Sequence, residues 1–148
     1  MSGSPIRRLL GLPVAESLAM LIAASVAIRW ASFKRLAAMG QEPRADLAPA
    51  TAAEAVRIRD ALDGWGRRLP WRTLCFEKGL AARWMLRRRG LAGTLYYGAA
   101  TIAGELKAHV WVRSGEVDVI GCDNARDYAL LATFPADPRV SDRSRAKR

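Results

Sequence analysis

The feature that most constrains this chain is a change of hydrophobic period at Gly90. Before it, apolar residues recur at helical spacing; after it they come in short strand-like runs. Pro13 suits the first turn of a helix that the pattern carries to about Met39, where Gly40 closes it. Gln41–Pro49, with Pro43 and Pro49, reads as a connector. Thr51-Ala52-Ala53-Glu54 is a capping box, in which hydroxyl and carboxylate each satisfy the other residue's free amide. The helix it starts carries Ala55, Ile58, Ala61 and Leu62 on one face and should stop near Gly64–Gly66. Pro70 then forces Leu69 to be extended. A third helix is expected from Cys75 to Arg89, striped by Leu80, Ala81, Trp84 and Met85 and stopped by Gly90.

Beyond Gly90, Thr94–Tyr97 reads as a strand. Lys107–Val112 and Glu116–Ile120 read as two more, joined by a tight turn at Ser114-Gly115. Helices followed by a small antiparallel sheet make an α+β chain. Three regions are expected: an N-terminal helical segment and connector over 1–50, a core over 51–138, and a basic disordered tail over 139–148.

With 148 residues, 51% of them hydrophobic, the chain is long enough for one buried core. Its net charge of +10 favours an anionic partner, such as nucleic acid, a membrane surface or an acidic peptide. The arginines are scattered over several elements and no nucleic-acid motif is present, so a nucleic-acid-binding role is the weaker alternative and no nucleic-acid partner is expected. The uncharged run Ser17–Ile28 is shorter than the roughly 20 residues a spanning helix needs. Beyond it, Arg29, Lys34 and Arg35 are interleaved with Trp30, Phe33 and Leu36. This is an amphipathic pattern, whose one remaining membrane role is surface contact. Cys75 and Cys122 have neither disulfide nor zinc spacing, which fits a reducing cytoplasm and implies no metal or other cofactor.

The chain has one histidine, His109, in the strand-like run Lys107–Val112. A thiol becomes a nucleophile when a helix N-terminus and an imidazole favour its thiolate, and Cys75 stands at a predicted helix start. Any nucleophile–base pair must therefore use His109, with Cys75 the candidate nucleophile and Cys122 read as a small packing residue. The competing reading is ordinary packing, since a cysteine in an apolar helix is commonly core. With a turn at about Arg113–Glu116, Val112 should face Val117, Trp111 should face Asp118, and His109 should lie opposite Ile120. Asp118, inside the strand, and Asp123, just past its end, both come within reach of the ring as orienting acids.

Trp71-Arg72-Thr73-Leu74-Cys75-Phe76-Glu77-Lys78-Gly79-Leu80-Ala81-Ala82, followed by Leu86–Gly90, resembles the cysteine motif of the transglutaminase-like peptidases of lasso-peptide biosynthesis. Tyr97-Gly98 with Ala108-His109-Val110-Trp111-Val112 is similar to that family's second block, usually alanine-histidine-alanine-tryptophan-valine. Gly121-Cys122-Asp123 and Tyr128–Leu131 resemble its acidic residue and tail. The resemblance spans about residues 10 to 135 and implies a papain-like or transglutaminase-like core. In it, Cys75, His109 and Asp123 would remove the leader from a ribosomally made precursor peptide. It implies two further partners: a separate winged-helix leader-recognition protein and a cyclase resembling asparagine synthetase. A non-catalytic interaction module of the same fold is the alternative. The chain departs from the family pattern at Gly79 and Val110, where alanine is usual, at Phe76, where leucine is usual, and at Cys122 beside the acid. The Cys75 amide is the expected oxyanion donor, with Trp71 a candidate for a second.

Overall fold

The computed structural model describes residues 5–32, 35, 47–69 and 75–135, with side chains from 14 onward. Three helices, α1 (Pro5–Trp30), α2 (Ala52–Arg68) and α3 (Cys75–Arg88), precede strands β1 (Thr94–Ile102), β2 (Glu105–Ser114), β3 (Val117–Ile120) and β4 (Ala129–Phe134). The expected α+β order is observed. The end of the first helix at Met39–Gly40, most of the connector, Pro70, Trp71 and the tail from 139 lie outside the described residues.

Helix α1 begins earlier than Pro13, because Pro5 supplies a preset φ at the first position and Ile6–Leu10 are helix-compatible. It ends at Trp30, well before Met39. Ala31 and Ser32 are not helical, and the Ser32 hydroxyl accepts the Arg35 amide at 3.4 Å as an N-cap does, so the helical path is interrupted there. The capping box forms as expected: Glu54 Oε2 accepts the Thr51 amide at 2.8 Å and Thr51 Oγ1 accepts the Glu54 amide at 3.2 Å. Helix α2 runs past Gly64 and Gly66 to Arg68 rather than stopping at them. Each glycine costs about 1 kcal/mol in a helix. Between them, however, Trp65 packs on the core and its indole N–H donates to Val14 O at 2.8 Å. Helix α3 closes at Gly90 (φ +66°), with Gly90 N–H donating to Arg87 O and Leu91 N–H to Leu86 O, both at 3.0 Å. This Schellman-type end needs the left-handed conformation that glycine adopts without strain.

The four strands form one antiparallel sheet in the order β3-β2-β1-β4. The helices cover one face, where Ile58 and Leu62 of α2 and Met85 and Leu86 of α3 meet Leu95, Val110, Val112 and Val119. Leu21 of α1 joins the same cluster. Arg89 holds α1 against the end of α3 through two bonds to Glu16, at 2.9 and 2.6 Å. Strand β4 has no counterpart in the pattern analysis, because Ala-Leu-Leu-Ala-Thr-Phe does not alternate. It pairs with β1 through an irregularity at Tyr97/Gly98.

The β2–β3 register differs from expectation. Ser114 pairs with Val117, Arg113 with Asp118 and Val112 with Ile120, so His109 does not face Ile120 and Trp111 does not face Asp118. The turn is one residue later than assumed, at Gly115-Glu116, and Val119 is an extra residue on β3. That bulge lets Val119 and Ile120 both turn into the core. Arg59 of α2 caps it, with Nε donating to Val119 O and Nη2 to Asp118 O, both at 2.7 Å.

Candidate active site

Helix α3 is seated on the sheet by its first turns. Phe76 meets Tyr97 with ring centroids 5.9 Å apart, and Gly79 lies against Val110. A Cβ at Gly79 would come within 2.6 Å of Val110 Cγ1. Gly79 and Val110, the two positions where the resembled motif has alanine, therefore touch each other. Volume missing from one is supplied by the other, as tight packing requires. The first residue of this helix is Cys75, half-buried on the wall of a cavity of about 480 Å³. His109, Asp118, Cys122 and Asp123 line the same cavity.

The His109 ring is held from three directions. Its Nε2 is 2.7 Å from Gly121 O, and its ring centroid is 5.8 Å from that of Trp111 and 4.9 Å from that of Tyr128. Its cross-strand neighbour Gly98 has no side chain, and a Cβ there would be 3.0 Å from the Trp111 ring. A carbonyl can only accept, so Nε2 is the donor in this contact, and in the neutral ring Nδ1 is the nitrogen left as acceptor. Gly121 (φ +73°) must be glycine for this contact, since a Cβ would sit 2.7 Å from Val110 O.

The two candidate acids stand differently. Asp118 Oδ1 accepts Arg113 Nε at 2.7 Å, its cross-strand partner in the observed register. Asp123 follows the Gly121-Cys122 turn on the cavity wall. Of the two thiols, Cys122 faces the Val112 and Ile120 carbonyls at 3.4 and 3.5 Å. Burial, with the Asp118 charge adding to it, pushes its pKa up to about 11. Its thiol is therefore held in the protonated, weakly nucleophilic form. Lys78 and Asp63 add an ion pair of 3.1 Å to the wall. Among the described residues, no group of three or more His, Cys, Asp or Glu is arranged to hold a metal ion.

The family model of the transglutaminase-like superfamily matches residues 18–133. The chain belongs to this superfamily. Its helix-on-sheet arrangement agrees with a transglutaminase-like core, a fold whose members include cysteine peptidases and transglutaminases. Neither the curated proteins nor the solved structures gave a match. Sequence reasoning about this transglutaminase-like domain missed the Gly121 carbonyl and Tyr128. The first is backbone, and the second reaches His109 only through a strand that the pattern does not reveal. Trp111 was legible, because residues two apart on a strand share a face. No described helix is long and apolar enough to cross a membrane.

Proposed function

We propose that this chain is a cysteine peptidase that removes the leader from a ribosomally made lasso-peptide precursor. The observation that carries the chemical part is one cavity lined by Cys75 at the start of α3 and by His109 with its Nε2 proton fixed on Gly121 O. Nδ1 of His109 takes the Cys75 proton, and the sulfur attacks the scissile carbonyl carbon. Oxygen charge in the tetrahedral intermediate develops near the α3 N-terminus, where the Cys75 amide can donate. On collapse the C–N bond breaks and Nδ1 returns its proton to the leaving amine. Water, deprotonated by the same imidazole, then hydrolyses the thioester. Asp123 is the acid of this reading: its carboxylate supports the imidazolium, while Gly121 O holds the tautomer. The substrate, the separate winged-helix leader-binding protein and the asparagine-synthetase-like cyclase rest on the motif resemblance alone.

Mass spectrometry of a precursor peptide from the same gene neighbourhood, incubated with this chain and the leader-binding partner, tests the reading. Cys75→Ala and His109→Ala should each slow cleavage by about a thousandfold or more. Asp123→Asn should slow it by roughly ten- to a hundredfold, because the Gly121 carbonyl still orients the ring. Asp118→Asn should have little effect. Full cleavage by the His109→Ala protein would end the proposal, since no second imidazole exists.

A further inference from the structure

Strand β2 is paired unequally on its two flanks. Toward β1 it has a partner at nine consecutive positions, Arg113 through Glu105. Toward β3 its partners stop at Val112, because Gly121 turns the chain away. In an antiparallel ladder, alternate residues direct N–H and C=O to opposite flanks. Glu105 and Ser114 each flank a two-residue turn, so odd positions bond toward β1 and even positions toward β3. The close approach of Gly121 to Val110 O agrees with this parity. Among the described residues, Leu106 and Ala108 therefore present an amide and a carbonyl each to an open edge that leads straight to His109.

A second feature coincides with that edge. Val110 lies under α3 at Gly79, and the next same-face positions of β2, Ala108 and Leu106, lie beyond the start of the helix and are exposed. Leu106 is 80% exposed, a large apolar side chain on an uncovered strip that ends at the Cys75 cavity. Natural sheets commonly protect open edges with charge, proline or cover. Here the outward-bonding Leu106 and Ala108 are apolar, with Lys107 between them the charge on this stretch and no proline in it.

We propose that this edge binds the substrate: an extended stretch of the peptide adds as a strand beside Leu106 and Ala108, which delivers its scissile bond to Cys75. This deepens the peptidase reading above and rests on it for the identity of the peptide. Backbone pairing supplies general affinity for extended chains. Leu106 favours an apolar side chain opposite the strip, and Ala108 leaves room for one near the cavity.

The test is amide hydrogen exchange by NMR on the full chain carrying Cys75→Ala. It is mixed with an excess of the synthetic precursor peptide and the leader-binding partner. Exchange at Leu106 and Ala108 should slow by tenfold or more, with Lys107 and His109, already bonded toward β1, little changed. Unchanged exchange at Leu106 and Ala108 overturns the inference. Separately, Ala108→Pro removes one outward amide without touching the β1 ladder, a position where a strand tolerates proline. In the chain with Cys75 intact it should raise KM about tenfold; an unchanged KM also overturns the proposal. Protection of the two amides by a peptide that is never cleaved would sink the peptidase reading and leave the edge assignment standing.

Discussion

The two flanks of β2 obey different rules. Toward β1 the ladder is regular over nine pairs and ends in a tight turn at Ala103-Gly104. Toward β3 it has three pairs, a bulge at Val119, a left-handed glycine at 121 and then an open edge. The regular flank supports the imidazole and the irregular flank orients it. A carbonyl is free to meet His109 Nε2 only because β3 leaves the ladder at Gly121. The setting of His109 is built where pairing stops, on a strand that is fully paired on its other side.

The largest expected effect on the irregular flank is that of Gly121→Ala. The added methyl would meet Val110 O and require an unfavourable left-handed φ, so the turn must shift and Gly121 O must leave the ring. We expect a hundredfold or greater fall in precursor cleavage, with KM changed much less than kcat. Wild-type turnover would show that the carbonyl is not what orients His109.

The irregular flank is open at the edge but closed around Cys122. Its pKa of about 11 predicts alkylation roughly a hundredfold slower at pH 8 than for an unperturbed thiol, measured by mass spectrometry with iodoacetamide. Because the folded pKa is raised, the protonated thiol's contribution to stability is complete below the unfolded value of 9.0. It is lost as pH rises from there toward 11. Denaturant melts across that window should show wild type losing more stability than Cys122→Ala.

On the helix-facing side, Gly79→Ala should destabilise by about 1–3 kcal/mol through overpacking against Val110. The double variant Gly79→Ala, Val110→Ala should recover most of that loss, with a coupling of at least about 0.5 kcal/mol in a double-mutant cycle. Additive single effects would mean that the two departures from the family pattern are unrelated.

The smallest effect belongs to the regular flank. Ala103 takes a left-handed φ of +52° in the β1–β2 turn, a conformation asparagine tolerates better. Ala103→Asn should stabilise by about 0.5–1 kcal/mol, read as a rise in Tm, and leave any cleavage rate unchanged.

Local chemistry made much of the fold legible. The capping box, the glycine stop at 90 and the stripes on α2 and α3 each depend on residues within a few positions of one another. The Gly64–Gly66 stop was misread because Trp65 is anchored by Val14, fifty-one positions earlier in the chain. Strand β4 was missed because its burial is set by pairing with β1 rather than by its own alternation. At the site, residue types named Cys75 and His109, hairpin pairing offered Asp118 and Asp123, and the resemblance favoured Asp123; all four line one cavity.

By itself, the sequence determined that helices precede a sheet, where Cys75 opens a helix, and that any base must be His109. Only the tertiary structure decided the β2–β3 register, the partner of His109 Nε2 and the contact between Gly79 and Val110. The reason is range. Caps and stripes are closed within a helical turn, whereas the bulge that sets the register is held by Arg59, sixty positions from Val119. No local pattern in β3 encodes that bond, and it governs where the chain turns to meet the imidazole.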